Sequence, residues 1–294
     1  PWDTDQVVYV WFDALLNYAT AVGLTDDPAS VGGKKFAQTW PADVHLVGKD
    51  ILRFHAVIWP AMLMAAGIDI PRKVFAHGWL LVGGEKMSKS KLTGIAPSDI
   101  TDHFGVDAFR YYFLRAIPFG SDGSFSWEDM SARYTSELAN DFGNLASRLA
   151  AMIEKYCGGL IPAPHRDEVL AQALQATVDK ADAAMVALDF QGGIVAAMDF
   201  CKKVNGYVTE KEPWIVAKDP ANKVELEEVL YNTAESLRAL AVLLHPVMPA
   251  TTEILWQSLG AQSSLGAIGD QKVSQMAIKR RFIAGAKCPK CQAM

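Results

Sequence analysis

Residues 44–55 read Val44-His45-Leu46-Val47-Gly48-Lys49-Asp50-Ile51-Leu52-Arg53-Phe54-His55: an apolar run, a glycine turn and a helical pattern that continues through Met64 to Gly67. Val44–Val47 is strand-like, Gly48 turns, and Asp50 is placed to cap the helix. Pro60 is expected to kink or divide that helix, because it lacks an N–H and its ring crowds the preceding turn. The same order occurs upstream, where Val7-Val8-Tyr9-Val10-Trp11-Phe12 is a β-branched and aromatic run suited to a buried strand and Ala14–Val22 is helical up to Gly23. A third apolar run, Lys73–Val82, ends at Gly83-Gly84 and opens onto the polar stretch Glu85–Thr93. Strands alternating with helices predict a parallel sheet covered on both faces, with ligands gathered at the carboxyl ends of the strands.

After about residue 128 long helical periodicities take over, broken at Gly158-Gly159, at Ile161-Pro162-Ala163-Pro164, at Glu212-Pro213 and at His245-Pro246. This predicts an all-α bundle. In its first helix Leu138, Phe142, Leu145, Leu149 and Met152 fall on one stripe, while Asn144 and Arg148, four apart, share another face. Asp107, after Gly105-Val106, is expected to cap an amphipathic connecting helix.

The chain has 294 residues, enough for two domains with cores of their own. Its formal charge of −5 means that any nucleic-acid contact must come from a local basic patch or from stacking. The longest apolar stretch, Ala56–Ile68, is too short to span a bilayer and contains Pro60. Four cysteines are too few for a disulfide scaffold, and Cys157 and Cys201 stand alone, which favours a reducing, cytoplasmic compartment. The chain opens on Pro1-Trp2, so a preceding segment of a longer protein is expected.

The strongest local signal is Lys86-Met87-Ser88-Lys89-Ser90, preceded by two glycines and followed by Lys91 and Gly94. Two lysines at i and i+3 on a loop can close over a polyphosphate, and ammonium groups suit the charge that grows on departing pyrophosphate. By spacing alone the segment is equally an ordinary solvated basic loop. As it stands, however, KMSKS resembles the second signature of class I aminoacyl-tRNA synthetases. That resemblance implies that Lys86 and Lys89 are catalytic, stabilising attack of an amino acid carboxylate on the α-phosphate of ATP, and that Lys86, Ser88 and Lys89 bind ATP.

Two further segments, Val10-Trp11-Phe12-Asp13-Ala14-Leu15-Leu16-Asn17-Tyr18 and Gly48–His55, resemble the methionine enzymes of that class. The resemblance implies a methionine pocket formed by Trp11, Ala14, Leu15, Tyr18, Phe54 and His55, with Gly48 and Asp50 near the ATP ribose. A polarizable, unbranched thioether packs well among aromatic rings, and such a pocket rejects β-branched competitors by shape. Taken singly, Trp11 and Phe54 are ordinary core residues, His55 an ordinary structural histidine and Asp50 a helix cap.

Asn140–Arg148 and Glu212–Lys218 resemble the anticodon helix of these enzymes and its partner segment. Asn144 and Arg148 would read bases while Trp214 stacks on one, which suits unpaired RNA. Without the resemblance, the first two are a polar surface face and Trp214 an apolar residue opening a helix.

The implied fold is therefore α/β then all-α: residues 1–94 the second half of a Rossmann-like parallel-sheet catalytic domain, 95–127 a connecting segment in contact with the tRNA stem, 128–260 a helical anticodon-binding bundle, and 261–294 a linker and basic tail. The implied substrates are ATP with Mg2+, methionine, and elongator and initiator methionine tRNA. Class I activation also needs a His-x-Gly-His signature, and none occurs here, so this chain alone is expected not to activate methionine. Two other readings remain open: a stand-alone tRNA anticodon-binding module, and a sister class I enzyme for another amino acid. From roughly Ala261 the sequence ceases to resemble the synthetases, and Met276–Cys291 looks like the start of a small bacterial metal-binding protein. Cys288 and Cys291 form half a zinc site with no nearby partners, so zinc binding and a disordered basic tail both stand.

Overall fold

The computed structural model describes residues 9–82, 95–261 and 263–267, together with Asp3, residues 5–7 and the backbone of Glu85 and Lys86. The chain divides into two compact units, residues 1–80 with 120–122, and residues 81–119 with 123–294.

The first unit opens with three helices, α1 (Val10–Ala14), α2 (Asn17–Ala21) and α3 (Val31–Thr39), followed by strand β1 (His45–Gly48). The apolar run at residues 7–12, expected as a strand, instead enters α1 at Val10. A short apolar run does not by itself distinguish strand from helix. What decides here is the seam of Trp11, Leu15, Tyr18 and Ala19 at helical spacing, which packs into one core with Trp59 and Leu63. Val10 and Phe12, off that seam, are exposed. The predicted stop at Gly23 holds: the residue has φ of +102°, and a Cβ there would lie 2.5 Å from the Gly32 carbonyl oxygen.

After β1 the chain makes a 3₁₀ turn at Lys49–Ile51, a π-helical turn at Phe54–Ile58 and then α4 (Trp59–Ala65). Asp50 lies inside the 3₁₀ turn, and the capping position is taken by Gly48. Pro60 does not end the helical path: the π-helical turn Phe54–Ile58 runs directly into α4, with Arg53, Ile58 and Trp59 all right-handed helical, and Pro60 falls in the first turn of α4. The crossover returns to β2 (Val74–His77), parallel to β1 in the register His45↔Val74 to Gly48↔His77.

The second unit is mostly helical. A small sheet places β3 (Leu80–Val82) between antiparallel β4 (Glu85–Lys86) and β5 (Gly123–Phe125). The helices follow as α5 (Pro97–Phe104), α6 (Val106–Ala116), α7 (Trp127–Arg133), a π-helical stretch Tyr134–Gly143, α8 (Asn144–Cys157), α9 (Glu168–Val186), α10 (Phe190–Lys211), α11 (Pro213–Val216), α12 (Lys223–Leu244) and α13 (Pro249–Ser258). The predicted breaks fall at real ends. Gly158 closes α8 in the left-handed conformation, Asp167 caps α9 by accepting the Leu170 N–H, and Pro213 opens α11.

Phe142, Leu145 and Leu149 of the predicted stripe are buried, with Leu138 and Met152 packed partly against the same core. Asp107 does not cap its own helix. Gly105 holds that position, and the Asp107 carboxylate accepts the backbone N–H of Thr251 in the first turn of α13. Arg110, one turn on, donates to the Val247 and Pro246 carbonyls at the α12–α13 corner. The connecting helix α6 thus serves the ends of two other helices. Cys157 and Cys201 are free thiols, and burial pushes the Cys201 thiol up to about 12, so it stays unreactive near neutral pH.

Candidate functional site

Five of the six residues expected around a methionine side chain come together in the first unit. The Trp11 and Phe54 rings stack at 5.2 Å with 15° between their planes, and Trp11 meets His55 edge-on at 6.1 Å. Leu15 is wholly buried beneath them, and Tyr18 sets its O–H 2.8 Å from His55 Nε2. Ala14, on α1 between Trp11 and Tyr18, is exposed. The helical spacing of Trp11, Leu15 and Tyr18 carries this wall, and the π turn at Phe54–Ile58 turns Phe54 and His55 towards it.

The state of His55 follows from its partners. Its Nδ1 lies 2.9 Å from the Ile51 carbonyl oxygen, which can only accept, so Nδ1 carries the proton. Nε2 is then left as an acceptor, and the Tyr18 hydroxyl donates to it. Burial raises the Tyr18 pKa further from neutrality, which keeps that proton on the phenol. Tyr18 also lies over His45, at 4.5 Å between ring centroids. His45 takes a hydrogen bond from Trp59 Nε1, and its pKa is lowered by burial and then by the neighbouring His55. The result is an aromatic cradle whose polar atoms are paired among themselves and which presents ring faces rather than charge.

Gly48 and Asp50 stand at the carboxyl end of β1, opposite His77 at the end of β2, where ligands of parallel sheets bind. A Cβ at Gly48 would come 2.6 Å from Asp50 Oδ1, so glycine is what lets the carboxylate fold back against the strand end. Nothing in the sequence marks what lies beside them. Lys49 Nζ contacts both oxygens of Asp122, at 2.6 and 2.7 Å, and sits 4.0 Å from the centroid of the Trp79 ring. With the two 73 positions apart in the chain, no local spacing could have paired them.

Lys86 pairs by its backbone with Leu81 on β3. Its side chain, Ser88 and Lys89 lie outside the described residues, as do Cys288 and Cys291.

In the second unit Asn144 and Arg148 lie on the outer face of α8, Asn144 exposed and Arg148 half-buried. The Arg148 guanidinium is 5.4 Å from the centroid of the Trp214 ring on α11, so the helix and its partner segment do meet at these side chains. The π-helical stretch ends at Gly143, immediately before Asn144. Its wide turns admit Glu137 to the interior, where the carboxylate accepts from Tyr111 Oη, Arg115 and Arg133.

With this geometry in view, the comparisons with known proteins are specific. The family described as "tRNA synthetases class I (M)" matches residues 1–150. The chain belongs to the class I tRNA synthetases (M). Residues 167–285 match a second family, "Anticodon-binding domain of tRNA ligase". Among class I synthetases, the methionine–tRNA ligase of Streptomyces coelicolor is 62% identical over 297 residues, covering 99% of this chain and 54% of that protein. The methionine–tRNA ligase of Caldanaerobacter subterraneus is 46% identical over 269 residues, covering 90% of this chain and 42% of that protein. A solved structure of Mycobacterium tuberculosis methionyl-tRNA synthetase bound by methionyl-adenylate superposes with a TM-score of 0.83 at 37% identity, over 98% of this chain and 56% of that one. The chain spans about half the length of the synthetases it matches. The Streptomyces similarity covers nearly the whole chain and so runs on past Ala261, where the sequence alone suggested that resemblance to the synthetases ends.

Proposed function

We propose that the chain forms part of a methionine–tRNA ligase, supplying the methionine cradle and part of the ATP site in residues 1–94 and the anticodon reader in residues 128–260, with 95–127 as connection and 261–294 as linker and tail. Trp11, Ala14, Leu15, Tyr18, Phe54 and His55 surround the methionine side chain. The stacked Trp11–Phe54 wall beside the hydrogen-bonded Tyr18–His55 pair is the observation that supports this most strongly. It offers dispersion contacts to a polarizable sulfur and no charge to a competing polar side chain.

Gly48 and Asp50 hold the ribose of ATP, supplied as its Mg2+ complex. Lys86 and Lys89, with Ser88, close on the phosphates. The methionine carboxylate attacks the α-phosphorus, the bond to the bridging oxygen breaks, and pyrophosphate leaves with its charge met by the two ammonium groups. A terminal ribose hydroxyl of methionine tRNA, elongator or initiator, then displaces AMP from the adenylate to give the ester.

Trp214 stacks on an anticodon base while Arg148 and Asn144 bond to exposed base edges, a division of labour suited to single-stranded RNA. The placement of Arg148 against the Trp214 ring supports one shared surface. No described helix is long and apolar enough to cross a membrane.

Methionine-dependent ATP–pyrophosphate exchange tests this reading. The full-length ligase that carries this chain is expected to exchange, and the isolated chain, which lacks His-x-Gly-His, is expected to bind methionine tRNA without exchanging. Exchange driven by another amino acid in preference to methionine overturns the assignment.

A further inference from the structure

The carboxyl ends of β1 and β2 each lead into a short loop, Gly48–Asp50 after β1 and His77–Trp79 after β2, and the register sets Gly48 directly across from His77. A third segment, Gly120–Asp122, comes back from later in the chain and lies on the second loop. A Cβ at Gly78 would overlap the backbone of Ser121 and Asp122, so the approach is open only to glycine. Gly120, at φ of +101°, turns the segment over the Phe75 ring.

From this position the Asp122 carboxylate does two things at once. Its Oδ1 accepts the backbone N–H of Trp79 at 2.8 Å, and both its oxygens hold Lys49 Nζ, at 2.6 and 2.7 Å. The ammonium is thereby held over the Trp79 ring, 4.0 Å from its centroid. The Lys49 hydrogen bond and then the Trp79 N–H keep the Asp122 carboxyl below its ordinary range, so it is ionised at neutral pH. Lys49 stands between Gly48 and Asp50, so fixing its side chain fixes the loop that carries both.

We propose that Asp122 is a positioning residue for the nucleotide: by pinning Lys49 over Trp79 it sets the Gly48–Asp50 loop against the His77–Trp79 turn. This rests on the reading that the strand ends take ATP. Asp122 touches no substrate; it acts through Lys49 and the Trp79 amide. The Lys49 and Asp122 side chains are 37% and 35% exposed, and a pair so open to solvent contributes little to folding, so its loss leaves the fold standing. What changes is the geometry of the ribose-binding loop, and small misplacements of such groups weaken function well beyond their effect on stability.

The test is steady-state exchange by the full-length ligase, with D122N and K49R compared to the natural sequence. D122N is expected to raise the KM for ATP about tenfold while leaving the KM for methionine and the melting temperature unchanged. K49R, which still offers a cation to both carboxylate oxygens, is expected to keep the KM for ATP within about twofold. An unchanged KM for ATP in D122N overturns the proposal. So does a parallel rise in both KM values with a lowered melting temperature, which marks a merely structural role. If the natural enzyme shows no methionine-dependent exchange, it is the proposed function that fails. Equilibrium dialysis with labelled ATP then decides the positioning role, with weaker binding by D122N supporting it and equal binding overturning it.

Discussion

His55 is fully buried and yet has both ring nitrogens in use, one towards the Ile51 carbonyl and one towards the Tyr18 hydroxyl. Tyr18→Phe removes the hydroxyl that donates to Nε2 while preserving the ring. It is expected to cost about 1–3 kcal/mol, the penalty of an unsatisfied buried acceptor, read from urea unfolding, and to raise the KM for methionine. His45, one ring further in, governs a pH dependence. Its folded pKa lies below the ordinary 6.5, so on acidification the unfolded chain takes up the proton first. The stability contributed by neutral His45 is complete above about pH 6.5 and declines as the pH falls from there towards the lowered folded value. His45→Gln, which retains an acceptor for Trp59 Nε1, is expected to flatten that decline in melting temperature between pH 7 and 5, a span set by the ordinary histidine pKa of about 6.5. At this scale the sequence was legible where a resemblance named residues: Trp11, Leu15, Tyr18, Phe54 and His55 do converge. It was silent on the Lys49–Asp122 pair, because only the folded path of residues 120–122 brings the two together.

Among the elements, helix ends were easier to read than helix interiors. Gly158 and Pro213 act through backbone conformation, which a sequence displays directly, whereas the side-chain caps expected of Asp50 and Asp107 were displaced by Gly48 and Gly105. The run at residues 7–12 was misread because β-branched and aromatic composition outweighed a 3.6-residue seam that becomes visible only when Trp59 and Leu63 are known to face it. The π-helical stretch Tyr134–Gly143 was invisible for a related reason: a stripe drawn at ordinary helical spacing already accounts for Leu138 and Phe142, and nothing local announces that the turns are wider. Those turns bury Glu137 among Tyr111, Arg115 and Arg133, tying α6 to the stretch that leads into α8. Glu137→Ala, which strands the Arg115 guanidinium and the Tyr111 phenol while Arg133 keeps Asp129, is expected to lower unfolding stability by about 3–5 kcal/mol, with Glu137→Gln falling between that variant and the natural sequence. Asp107→Ala, by removing the cap that α6 lends to α13, is expected to cost about 1 kcal/mol in the same unfolding measurement.

At the scale of the whole molecule, the aromatic cradle proposed for methionine lies in the first unit and the face proposed to read the anticodon, Asn144, Arg148 and Trp214, in the second, so mutants of the two are expected to separate. Trp214→Ala is expected to weaken tRNA binding by about 1–3 kcal/mol, the range for loss of one base-stacking ring, and to leave methionine-dependent exchange untouched. Trp11→Ala is expected to do the reverse, impairing exchange while tRNA affinity holds. The order of parts along the chain, α/β then all-α, was legible from periodicity alone, whereas the proposal of methionine rested on the resemblance carried by the segments around Trp11 and Phe54 and on the overall similarity to methionine–tRNA ligases. The most direct measurement of that assignment is a crystal structure of the full-length ligase with methionyl-adenylate bound. The expected result is the thioether within about 4 Å of the Trp11 and Phe54 rings, with the ribose against Gly48 and Asp50. A methionine side chain seated away from those rings, or a ribose far from the end of β1, would contradict it.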